Sequence, residues 1–109
     1  MNSEVKKLHK QLIEAHQGLA KRLGKTKDQE EAEDVLREME ELSFRVMMAG
    51  RLLFKETTAN VDKRIGTVLD AGADLDQAIK DIEKVKDLVK AVGKFLAVVD
   101  KVFDAIKIL

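Results

Sequence analysis

Apolar residues recur at steps of three and four along almost the whole chain, and each such run marks one face of a helix. Val5, Leu8, Leu12, Ala15, Leu19 and Leu23 form the first stripe and predict a helix over residues 4–23. Ser3 stands at its start, and Gly24 sits where a glycine would end it. Thr26 and Gln29 then have the spacing of a capping box for a second helix, 28–56. Asp28, Glu30 and Glu31 load its first turn with anions, which suits the positive end of the helix dipole. Its stripe, Ala32, Val35, Met39, Leu42, Val46, Ala49 and Leu53, is a heptad seam. From Phe44 onward the other faces turn apolar too, through Met47, Met48, Leu52 and Phe54, which predicts a helix in the middle of a bundle.

Thr57, Thr58 and Asn60 interrupt the strong helix formers. Asn60 can cap a short third helix, 61–71, on the stripe Val61, Ile65, Val68 and Leu69, ending at Gly72. With no proline in the chain, a second helix running straight through 57–60 is the alternative. Asp74 with Gln77 makes another cap-like pair, and from Leu75 to Ile108 nothing stops a helix. Gly93 costs it only about 1 kcal/mol relative to alanine. A helix over 75–108 would be about 50 Å long. On its wheel, Leu88, Val92, Phe95, Leu96, Val98, Val99, Val102, Phe103 and Ile106 fill an arc of roughly 160–180°. That is wider than a two-helix seam and asks for two neighbouring helices or a partner.

No strand alternation survives inspection. The pattern therefore predicts an all-α fold in one domain, residues 1–109. It is a three- to four-helix bundle with an N-terminal antiparallel hairpin and a long amphipathic C-terminal helix. Composition agrees: Ala, Glu, Lys, Leu and Arg supply 54 of the 109 residues, the signature of long helices. Hydrophobic residues at 45% exclude a disordered chain.

Charge adds an internal register. Twenty basic and twenty acidic residues cancel overall, but residues 1–27 carry a balance of +5 and residues 28–41 a balance of −7. A hairpin turning at 25–26 sets Lys21 against Glu30 and Lys10 against Glu41. The same register matches Leu19 with Ala32, His16 with Val35 and Leu12 with Met39. Such a zipper neutralises the basic helix within the protein, and that segment has no Phe, Tyr or Trp on which a base could stack. Nucleic acid is therefore not an expected partner.

Candidate chemistry is sparse. There is no cysteine, so disulfides and thiolate sites are excluded. His9 and His16 lie two helical turns apart, about 10 Å, too far to share one ion. Neither histidine follows a glutamate at the spacing of di-iron bundles. In the hairpin His9 comes opposite Leu42, beside Ser43, but no third group orients such a pair. Gly24-Lys25-Thr26 has the ending of a P-loop without its first glycine or a preceding strand. No metal, cofactor or catalytic residue is expected.

The start of the chain lacks the apolar run of a signal peptide, and Phe44 to Phe54, interrupted by Arg45 and Arg51, is too short to cross a membrane. A cytoplasmic protein is the expectation. The function expected is a non-enzymatic protein–protein interaction or scaffold module, self-associating or part of a small complex. Its candidate interface is Val92, Phe95, Leu96, Val99, Val102, Phe103 and Ile106, joined by Phe44, Met47 and Met48. The alternative is a membrane-surface protein acting through the C-terminal helix, whose lysines flank a broad apolar face.

Overall fold

The structure, a computed structural model, describes the backbone of residues 1–108 and the side chains of residues 1–106. Four helices of nearly equal length make up the fold: α1 (Ser3–Lys25), α2 (Gln29–Arg51), α3 (Ala59–Asp81) and α4 (Val85–Ile108). It is an all-α four-helix bundle opening on an antiparallel hairpin.

Local chemistry sets the helix ends, though not always at the residues the pattern suggests. Asn2 rather than Ser3 caps α1: its Oδ1 accepts from the amides of Glu4 (3.0 Å) and Val5 (3.1 Å). The same residue clamps the α2–α3 loop. Its amide donates to the Leu53 carbonyl at 2.7 Å, and its Nδ2 donates to the Lys55 carbonyl and to Thr57 Oγ1, both at 2.9 Å. Gly24 does not stop α1; the helix continues to Lys25, and no described residue has positive φ. Thr26 ends α1, and Asp28, not Thr26, caps α2 by accepting from the Glu31 amide at 3.0 Å. The second helix ends at Arg51 instead of 56, and Thr58 rather than Asn60 caps α3.

The largest departure is at the third break. Helix α3 runs straight through Gly72 and Asp74 to Asp81, and α4 begins only at Val85. The expected pair of a short helix 61–71 and a long one 75–108 is thus replaced by two of matched length. The reason lies in α1. A Cβ on Gly72 would come within 2.3 Å of Gln11 Cδ, so this glycine is the space that admits the Gln11 side chain between α1 and α3. Gln11 is buried there, and its Nε2 donates to Asp76 at 3.3 Å. Gly18 gives α1 a second close approach, with Ile79 Cδ1 3.2 Å from where its Cβ would be. The turn Ile82-Glu83-Lys84 contains no helix breaker. It is held by the Arg22 guanidinium, which donates to the carbonyls of Ile79, Ile82 and Glu83, the orphan acceptors at the end of α3.

Packing runs α1 on α2, α2 on α4, α4 on α3 and α3 on α1. Helices α1 and α4 are diagonal, as are α2 and α3, so the 52–58 loop crosses the end of the bundle. Each hairpin is antiparallel, whereas α1 lies parallel to α3 and α2 parallel to α4. One core joins all four helices. The stripe Val5, Leu8, Leu12, Ala15 and Leu19 faces Val61, Ile65, Val68 and Leu75, with Leu88, Val92, Val99 and Val102 from α4 closing it. Helix α2 supplies Val35, Leu42 and Ala49.

The hairpin register also differs from the charge-based one. The turn occupies residues 26–28, and Asn2 bonds to Leu53, so facing residue numbers sum to about 54–55 rather than 51. That is one helical turn away. Neither Lys21–Glu30 nor Lys10–Glu41 forms, and no ion pair between described residues joins α1 to α2.

Candidate functional site

The helix expected at the centre of the bundle is the one most open to solvent. A four-helix bundle has no central helix; each member turns one face inward. For α2 that face is the heptad Val35, Leu42 and Ala49, flanked by Met39 and Val46. Residues 36, 44 and 47 fall on the opposite side of its wheel. Leu36 is 45% exposed, Phe44 54% and Met47 46%, and Phe54 in the following loop is 80% exposed. Met48 is half-buried on the flank and packs against the core.

The sequence-predicted interface therefore divides. Val92, Phe95, Leu96, Val99, Val102, Phe103 and Ile106 are all buried within the chain's own bundle. The broad arc of α4 asked for two neighbours or a partner, and α2 and α3 are the two neighbours. Phe44 and Met47 stay outside. Phe54 in the loop belongs with them, as does Leu36, which was not in the expected set. Leu36 had a legible signal, since it stands off the heptad seam among charged residues of the polar face.

Charge surrounds this apolar strip. Glu33, Glu40 and Arg51 lie in line with Leu36, Phe44 and Met47 on the outer face, Arg51 Nη2 lying 3.9 Å from Met47 Sδ, and Glu30 and Glu41 are exposed beside them. Arg37 is spent on Asp34 at 3.3 Å. Arg45 closes the side toward α4: Nε and Nη2 donate to the two oxygens of Asp100 at 2.9 Å, and Nη1 donates to Glu41 Oε2 at 2.8 Å. The hydrogen bonds to Asp100 hold this guanidinium firmly charged, against the cost of its partial burial. Glu38, on the same flank, has its carboxyl pushed above the ordinary carboxylate value, first by burial and then by the negative charge of Glu41.

The remaining candidates do not assemble into a site. His9 packs against Gly50, where a Cβ would stand 3.5 Å from its Nε2; Ser43, two turns away along α2, is exposed on the outer face. No group of His, Cys, Asp and Glu among the described residues is placed to hold a metal ion. No helix among them is long and apolar enough to cross a membrane. A groove between α1 and α3 is lined by Lys21, Lys25 and Lys80, but Glu14 and Asp76 share it, and its Arg22 is committed to capping α3. No protein-family model, curated protein or solved structure matches the chain.

Proposed function

We propose that the protein is a non-enzymatic interaction module, one member of a small complex, which docks its partner on the outer face of α2. The observation that carries this reading is the exposure of Leu36, Phe44 and Met47 on a helix whose inward face is already filled. Large apolar side chains gathered on one exposed strip and rimmed by charge are the usual mark of a protein contact. Covering them stabilises a complex by about 25 cal/mol for each Å² removed from water. Methionine and phenylalanine in such a strip also suit a partner of helical shape.

A membrane-surface role has less support. The apolar face of α4 on which it would rest lies in the core, and the open strip on α2 carries glutamates that anionic lipid repels. Self-association through α4 loses its basis for the same reason, since that face is already covered.

The test is a photo-crosslinking residue placed at Phe44, with Thr67 on the outer face of α3 as its control, in the cells that make the protein. Discrete adducts at position 44 that are absent at 67 are the expected result. Equal yields at the two positions would sink the reading.

A further inference from the structure

We propose that the partner held on α2 is a basic amphipathic helix from a different protein, seated with its cations over the glutamates and its apolar side chains on Leu36, Phe44 and Met47. This rests on the docking reading above and goes beyond it by fixing the chemistry of the occupant.

Three observations carry it. First, the carboxylates are unspent. The antiparallel partner α1 is basic, yet no ion pair between described residues crosses from α1 to α2. Glu30, Glu33 and Glu40 therefore face solvent on or beside the apolar strip.

Second, the face is asymmetric. Its acidic residues Glu30, Glu33 and Glu40 lie toward the α1–α2 turn with Leu36 among them, and Phe44 and Met47 lie toward the 52–58 loop, where Phe54 is also exposed. From Glu30 to Met47 the strip is about 26 Å long, which matches a partner helix of about 18 residues. A helix laid along it needs cations near one end and anchors at i, i+3 or i+4 spacing near the other.

Third, no described surface of a second copy meets both demands. The outer face of α1 offers Lys6, Lys10 and Lys21, but the helix itself has no exposed large apolar side chain, and Met1 ahead of it is a single anchor where a strip of them is needed. Among described residues, the outer faces of α3 and α4 also lack one. A second α2 laid parallel would bring the apolar residues but set glutamate against glutamate, which is costly. Laid antiparallel, each acidic end would meet the other copy's apolar end, whose Arg51 offers one cation against Glu30, Glu33 and Glu40. The complementary surface belongs to another chain.

The experiment uses the whole protein and two fluorescent synthetic peptides of about 18 residues. Both share one leucine stripe at helical spacing; one carries lysines on its flanks and the other glutamates. Anisotropy titration is expected to show the lysine peptide bound at least about tenfold more tightly, with the preference shrinking as salt rises. The double substitution Phe44→Asp with Met47→Asp is expected to abolish binding. Glu33→Lys with Glu40→Lys is expected to reverse the preference. All four side chains are on the outer face or half exposed, so circular dichroism should show unchanged helix content.

Each other outcome is decisive. Equal binding of both peptides, lost in Phe44→Asp with Met47→Asp, leaves the docking surface standing and overturns its selection for a basic helix. Lysine-peptide binding that survives that pair is attraction by charge alone and also overturns the proposal. Binding of neither peptide overturns the basic helix as occupant, while crosslinking at position 44 still decides whether the face docks anything.

Discussion

Helices α2 and α4 look alike as strings of letters and part company in the fold. Both carry more apolar residues than a single seam requires. In α4 the surplus turns inward: Phe95, Leu96, Val99, Val102, Phe103 and Ile106 are buried between α2 and α3. In α2 the surplus turns outward, leaving Leu36, Phe44 and Met47 in water. The difference is one of angle. The extra residues of α4 widen a single arc, and a helix with two neighbours can bury a wide arc. Those of α2 lie on the far side from Val35, Leu42 and Ala49, away from both of its neighbours α1 and α4. Apolar content therefore says little about exposure until the direction of the surplus is known.

Truncating a phenylalanine on each helix is the strongest way to break this contrast. Phe103→Ala, in the core at 4% exposure, is expected to cost about 3–5 kcal/mol. Phe44→Ala is expected to stay within about 0.5 kcal/mol. Urea unfolding followed by circular dichroism measures both, and similar losses would mean that α2 is packed more deeply than its exposed face implies.

Glycines give a smaller effect of opposite sign in the two hairpin partners α3 and α4. At Gly72 an added methyl meets the Cγ, Cδ and Nε2 atoms of Gln11. Gly72→Ala should therefore lose about 1–3 kcal/mol by overpacking, reduced by the better helix propensity of alanine. At Gly93 nothing stands within 4 Å, so Gly93→Ala should gain up to about 1 kcal/mol. Thermal melts of both variants check the pair. Combining Gly72→Ala with Gln11→Ala should recover most of the first loss, which separates a steric clash from a simple propensity effect.

The smallest effect concerns pH on the flank that α2 shares with Arg45. The Glu38 carboxyl sits above its unfolded value because burial and Glu41 disfavour its charge. The folded state thus holds this proton more tightly, so Glu38 weakens the fold at neutral pH and ceases to do so as pH falls below the ordinary carboxylate range. Glu38→Gln is expected to raise stability at pH 7 by on the order of a few tenths of a kcal/mol, since the group is largely solvated. The gain should vanish in acid. A variant that is less stable than the parent at pH 7 would show that the attraction of Arg37 and Arg45 outweighs burial.

Much of the architecture was legible in the residues themselves. The three–four stripes mark all four helices, the acidic first turn of α2 marks a helix start, and the all-α class follows from them. Those features depend on residues within one or two turns of each other. The errors share the opposite property. Gly72 reads as a stop because its cost to a helix is visible and its benefit, room for Gln11 some sixty residues earlier, is not. The turn at 82–84 has no breaker to read, because Arg22 from α1 supplies the capping donors. Charge matching between residues 1–27 and 28–41 suggested a zipper, but exposed pairs are worth only about 0.2–1 kcal/mol each. The three-residue turn and the burial of Leu8, Leu12, Val35 and Leu42 outweigh that and move the register by a turn.

By itself, then, the sequence determined that the chain is helical almost throughout and which apolar stripes turn inward, since propensity and periodicity act over a few residues. Tertiary structure alone decided where α3 gives way to α4, which helices are neighbours, and that the apolar surplus of α4 is covered while that of α2 is not. Those outcomes depend on how four rods of equal length share one core, and a residue's distance along the chain does not encode which rod will stand beside it.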